Sequence, residues 1–150
     1  MKIVRIIILI VALFGLIQLV PYGRNHLNPP VVQEPAWADV ETRAIAQRTC
    51  FDCHSNETVW PWYTNVAPSS WLVQHDVEEG RSKVNFSEWG RGEQETDEIA
   101  NVIQGGEMPP PQYTLIHADA RLSASEKEAF LRGLTAMGIT SGEAEGQEDD

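Results

Sequence analysis

Residues 50–54 read Cys-Phe-Asp-Cys-His, and no other stretch of this 150-residue chain restricts its fold so strongly. Two thiols three positions apart, followed at once by an imidazole, form the attachment signature of c-type haem. The spacing has a mechanical basis. Each thiol can form a thioether to one of the porphyrin's two vinyl groups, and the next residue can aim its imidazole at the iron. Cys50 and Cys53 are the only cysteines, so none is left for a disulfide or a Cys-rich metal site. The competing reading is a plain dithiol of the thioredoxin kind. It would want a strand before the motif and a βαβ pattern around it, and the residues preceding Cys50 read as helix.

A chain this short has room for one domain, and a domain of that size buries only a modest core. A covalent haem offsets this by giving many side chains a flat apolar ring to pack on. The charge balance is acidic, 11 Lys+Arg against 22 Asp+Glu, for a net charge of −11. That speaks against nucleic-acid binding, which needs a basic footprint. It suits a soluble face that meets a basic partner.

Residues 1–20 carry Lys2 and Arg5 ahead of an apolar run broken only by Gln18. A helix counted from Ile3 would be about 27 Å long, close to the hydrocarbon thickness of a bilayer. Pro21-Tyr22-Gly23-Arg24 offers no cleavage site after the run, so the expectation is an uncleaved signal anchor. Its basic end would lie in the cytoplasm and the remainder of the chain in the periplasm. Residues 21–38 contain Pro21, Pro29, Pro30 and Pro35 and read as an extended tether, with His26 a solvated side chain within it.

Asp39 is an expected N-cap for a helix leading into Cys50. After the motif, Trp60, Trp62 and Tyr63 around Pro61 form an aromatic patch suited to lining a haem edge and excluding water. Pro68 reads as a helix start and Gly80 as its end. Trp71, Leu72 and His75 share helical spacing there. His75 is a candidate sixth iron ligand or haem-propionate partner, against the reading of a structural histidine. Arg81 is a candidate propionate partner or a surface cation. A third helix is expected over Glu93–Gln104, closed by Gly105-Gly106. Ser123-Ala124-Ser125-Glu126 is a capping box opening a last helix, which should pack across the helix that precedes the motif.

Between these lies Glu107-Met108-Pro109-Pro110-Pro111. A methionine held in a proline-rigid loop, roughly 55 residues after the histidine, suits a second axial ligand, and a thioether raises the potential. Met108 is therefore the first candidate for the sixth position, with His75 and His117 as the others.

The strings CHSNET, WPWY, PSSWLV, HDVEEGR, NFSEWGRGE and GEMPP, with Tyr113 four residues before His117, resemble the bacterial haem-binding domain family. Its members are small, carry one C-x-x-C-H and often sit behind an N-terminal membrane segment. The resemblance covers about residues 24–135. It implies haem c held by Cys50 and Cys53 with His54 on the iron, and it places Met108, His75 and His117 on matching positions. It names no substrate.

The resulting expectation is an all-α, small mono-haem c-type cytochrome-like domain behind an N-terminal transmembrane helix. Residues 1–20 would be the anchor, 21–38 the tether, 39–138 the haem domain and 139–150 an acidic disordered tail. Its haem-contacting residues would be Cys50, Cys53, His54, Met108, His75, Trp60, Trp62, Trp71 and Arg81, with iron between His54 and Met108. The expected activity is one-electron transfer with redox partner proteins at the periplasmic face of the cytoplasmic membrane, without catalysis. The alternatives are a haem sensor and a peroxidase-like enzyme, both of which need an open sixth position.

Overall fold

The computed structural model describes residues 1–140, and those residues are helical, with one isolated bridge between Gln33 and Glu88. The elements are α1 (Lys2–Ile17), α2 (Val40–Thr49), α3 (Phe51–His54), α4 (Ser69–Lys83), α5 (Glu98–Gly105), α6 (Pro111–Ile116) and α7 (Ala124–Ala136). Short 3-10 turns cover Trp62–Asn65 and Ala118–Ala120. The all-α expectation therefore holds.

The α2 helix starts where its cap predicts. Asp39 Oδ1 accepts the Thr42 backbone N–H at 2.6 Å and the Thr42 hydroxyl at 2.8 Å, satisfying donors that the first turn leaves orphaned. The α7 helix opens with both halves of its capping box formed between Ser123 and Glu126. The two helices then pack together, Gly133 of α7 lying directly on Thr42 of α2. Phe130 and Leu134 are fully buried beside Ile45, Ala46 and Phe51, with Val84, Phe86, Ile99 and Ile103 completing the core. Burying each large apolar side chain contributes about 1.5–3 kcal/mol. Ile139 is also buried in this core, so the folded part runs past the expected start of the tail. Residues 141–150, the rest of that tail, lie outside the described residues.

Two helix boundaries differ from prediction. The α4 helix continues through Gly80 to Lys83, because Gly80 serves close packing rather than termination. The α5 helix begins at Glu98 rather than Glu93. Ahead of it, the Gln94 side chain accepts from Asn85 N–H and donates to the Glu88 carbonyl, and Glu95 N–H donates to the Lys83 carbonyl. Those bonds hold residues 93–97 in a loop.

The N-terminal expectations need correction. The α1 helix has sixteen residues, which at 1.5 Å per residue is about 24 Å. No helix among the described residues is long and apolar enough to cross a membrane, which overturns the single-pass anchor and the periplasmic placement that depended on it. The physical reason lies in Gln18. Its amide donates to the Ala67 carbonyl at 2.9 Å and accepts the Ala67 N–H at 3.0 Å, so the chain turns into the helical body where the span would have continued.

The proline-rich stretch that follows is extended but not free. Val32 and Gln33 N–H both donate to the Ser87 carbonyl, Trp89 N–H donates to the Gln33 carbonyl, and Asn56 Nδ2 donates to the Pro30 carbonyl. Asn28 Nδ2 donates to the Thr58 carbonyl, and His26 stacks on Trp60 with Nε2 3.2 Å from the Thr64 carbonyl. His26 is thus a structural contact, and the segment is a strap along the body.

Candidate haem site

Cys50 closes α2, and the chain re-enters a helical turn at once. Cys53 and His54 N–H both donate to the Cys50 carbonyl, at 3.2 and 2.8 Å. This turn sets both thiols and the imidazole toward one cavity of about 280 Å³, whose walls also include Asp76, Gly80, Lys83, Met108 and Tyr113. A second lobe of about 660 Å³ shares Thr49, Cys50, His54, Lys83 and Met108 with the first. Phe86, Ile99, Val102 and Ile103 give the larger lobe apolar walls. Together the lobes lie in the size range of cofactor sites.

His54 is oriented before any ligand arrives. Its Nδ1 lies 3.1 Å from the Val84 carbonyl oxygen. A carbonyl only accepts, so the proton belongs on Nδ1 and the Nε2 lone pair is left for a metal. Burial depresses the imidazole's pKa, against the opposing pull of its backbone hydrogen bonds. It is therefore neutral at pH 7, the form that ligates iron.

The thiols are shifted the other way. Burial pushes Cys50 up to about 11, and burial with the nearby charges of Asp76 and Asp52 pushes Cys53 up to about 12. Thiols used for exchange or as thiolate nucleophiles sit in electropositive settings that lower their pKa. These two stay protonated, which disfavours the dithiol reading. Among the described residues no group of three or more His, Cys, Asp or Glu side chains is placed to share one metal ion.

Met108 reaches the site through the end of α5. Gly106 takes a left-handed conformation, φ +77°, which suits glycine. Glu107 and Met108 N–H then donate to the Val102 carbonyl at 2.9 and 3.2 Å. Met108 lines both lobes, on the walls that also carry His54.

The other proposed contacts lie elsewhere. His75 is 66% exposed and pairs with Glu79 at 3.5 Å, lining neither lobe. The buried positions of α4 are Ser70, Val77 and Gly80, and a helix rotating about 100° per residue puts position 75 on the opposite side. Arg81 is consumed as a clamp. Its guanidinium donates to the Ser55 carbonyl at 2.7 Å, the Leu27 carbonyl at 3.1 Å, Asn28 Oδ1 at 3.1 Å and Thr58 Oγ1 at 2.9 Å. Trp60 donates to Asn28 Oδ1 at 3.1 Å, fixing the strap. Trp62 is 79% exposed, and Trp71 lines neither lobe. Packing of the strap, remote in sequence, claims Arg81 and Trp60.

Several wall residues escaped the sequence reading. Lys83 lines both lobes and pairs with Glu95 at 3.0 Å, a cation on the walls where Arg81 had been expected. Glu95, Asp97, Glu98 and Glu107 line the larger lobe. Tyr113 lines the smaller lobe and donates its hydroxyl to Asp52 Oδ2 at 2.6 Å. Burial, reinforced by that bond, raises its pKa strongly. A proline at the start of α6 and the Tyr113/His117 spacing of one helical turn were the signals available for it. His117 faces a separate groove, with Nε2 2.6 Å from the Tyr63 hydroxyl.

A neutral imidazole held through Nδ1 by the Val84 carbonyl, two protonated thiols on the same wall, a thioether and apolar flanks form a donor set that fits haem. This defines a helical haem-site domain. The chain belongs to the haem-binding domain family, whose model matches residues 12–136. No curated protein and no solved structure matches the chain.

Proposed function

We propose that this haem-binding protein carries its haem covalently through Cys50 and Cys53, ligates the iron with His54 and Met108, and transfers single electrons. The observation that carries this reading is the convergence of Cys50, Cys53, His54 and Met108 on one cavity. The bound group supplies the redox couple itself, one electron held on or released from its iron.

The chain's residues do the rest. Cys50 and Cys53 would hold the group through thioethers, each thiol S–H adding across one vinyl C=C with sulfur on one carbon and the proton on the other, which would consume no oxidant. The raised thiol pKa values keep that proton in place beforehand. The Val84 carbonyl holds His54 in the ligating tautomer. Phe86, Ile99 and Ile103 give the larger lobe walls that exclude water, and Met108 would offer its thioether to the bound group, a donor that raises the potential. The acidic surface suits a basic redox partner. A peroxidase-like reading draws no support from His75, His117 or Arg81, none of which lines the two lobes.

The test is the optical spectrum of purified, haem-loaded protein beside Cys50→Ala/Cys53→Ala and Met108→Ala. The parent should keep its haem through denaturation and extraction, show a near-infrared sulfur-to-iron band when oxidised, and bind CO slowly when reduced. The double cysteine variant should release its haem on extraction. Extractable haem in the parent would refute covalent attachment, and an unchanged Met108→Ala spectrum would remove Met108 from the iron.

A further inference from the structure

The segment that brings Met108 to the cavity is weakly built into the body. Met108 is 37% exposed, and α6, which follows it, has no buried residue. No apolar side chain of this helix anchors it in the core. At its N-terminal end the segment hangs from the Val102 carbonyl through the backbone bonds of Glu107 and Met108. Beyond that, two polar aromatic contacts bind it to the part of the chain around the haem motif. Tyr113 donates to Asp52, inside the Cys-Phe-Asp-Cys-His string, at 2.6 Å. His117, one turn on, lies 2.6 Å from the Tyr63 hydroxyl. The two are braced against each other, the Tyr113 and His117 rings stacking with centroids 4.2 Å apart and planes 9° from parallel.

Asp52 is itself held, since its Oδ1 accepts the Val59 N–H at 3.0 Å while Oδ2 takes the tyrosine. The acceptor is therefore fixed at both oxygens. Tyr113 forms part of the cavity wall beside Met108, Pro110 and Gln112. The bond is thus made by a residue five positions from the thioether to a residue between the two thiols.

We propose that Tyr113 and Asp52 are positioning residues for the sixth iron position: their hydrogen bond, supported by the Tyr63–His117 bond, clasps residues 107–117 onto the haem motif and holds the Met108 thioether at the cavity. The inference rests on the reading of His54 and Met108 as the axial pair. Neither residue touches the iron. They act by raising the free energy of the state in which the segment swings away and the position is open. A hydrogen bond to a carboxylate is among the stronger ones, and its loss should increase the open population about ten- to hundredfold.

The experiment uses the full haem-loaded chain. Tyr113→Phe removes only the hydroxyl, and Asp52→Asn keeps the shape of the acceptor. Leu115→Ala, at an exposed position of the same helix, controls for a general disturbance of α6. Two quantities are read: the near-infrared sulfur-to-iron band and the rate of CO binding to the reduced protein. Tyr113→Phe and Asp52→Asn should each weaken the band and speed CO binding by about ten- to hundredfold, and the double variant should go no further than either single one. Leu115→Ala should match the parent in band and rate.

If both single variants keep the parent's band and CO rate while Met108→Ala abolishes the band, the clasp is refuted and the axial assignment stands. If Leu115→Ala opens the site as readily as Tyr113→Phe, the effect is general loosening of α6 and the clasp is again refuted. If the parent lacks the band and Met108→Ala changes nothing, the axial assignment fails first and takes the clasp with it.

Discussion

A Cβ atom built on Gly80 would stand 2.6 Å from the carbonyl oxygen of Cys53. The α4 backbone thus touches the backbone of the haem motif with no room for a methyl group. Gly80→Ala must push α4 away from α3, and overpacking of this kind costs about 1–3 kcal/mol. The expected outcome is a lower thermal midpoint together with weaker haem retention. An alanine variant melting with the parent would show that α4 can slide without disturbing the site.

Arg81 predicts a different kind of loss. Its guanidinium joins Leu27 and Asn28 of the strap to Ser55 and Thr58 beyond the motif. Arg81→Met should cost about 2–3 kcal/mol, since bonds to charged groups are strong but not additive. It should also expose residues 21–33 to limited proteolysis. Unchanged cleavage within those residues would mean that the backbone pairing with Ser87 is sufficient.

The thiols give a pH prediction in protein prepared without haem. Raised pKa values mean that the reactive thiolate is scarce at neutral pH and grows as pH rises toward about 11 for Cys50 and about 12 for Cys53. Alkylation by iodoacetamide at pH 8 should be on the order of a hundredfold slower than for a free cysteine. It should accelerate about tenfold per pH unit. Rapid labelling at pH 7, followed by mass spectrometry, would contradict the buried setting and reopen the dithiol reading.

Glu95, Asp97, Glu98 and Glu107 line the larger lobe. Negative charge near iron favours the oxidised state, so Asp97→Asn/Glu98→Gln should raise the midpoint potential. The shift should shrink as salt is added, because these side chains are exposed. A potential that does not move at low ionic strength would mean that solvent screens the rim completely.

Features settled by neighbours in sequence are legible in the chain itself. The Asp39 cap, the Ser123–Glu126 box and the turn after Gly105 each involve residues within a few positions, and each is formed. The Cys50-to-His54 string is likewise local, its turn closing on the Cys50 carbonyl and setting the three side chains on one cavity wall. Failures came where a residue's partner is distant. Gly80 carries a helix-end signal and a close-packing signal in one letter, and only Cys53 decides between them. Arg81 looked like a free cation because its acceptors, at Leu27 and Ser55, are backbone carbonyls that no side-chain pattern announces. His75 shares a helix with buried residues, but the phase of that face is set by packing against α3. Gln18 looked like a blemish in an apolar run, whereas its amide is a docking joint for Ala67.

Residues 84–88 hold two things at once. The Val84 carbonyl orients the His54 imidazole and Phe86 N–H donates to the His54 carbonyl, while the Ser87 carbonyl accepts from Val32 and Gln33 N–H. The stretch beside the imidazole is thus also the seat of the strap, so residues before Asp39 help to keep the His54 ring aimed. A domain excised at position 39 would strip one side from that seat. A piece cut to keep that seat whole should therefore begin upstream of the proline-rich segment, near Gln18, where the polypeptide bonds to the body at Ala67.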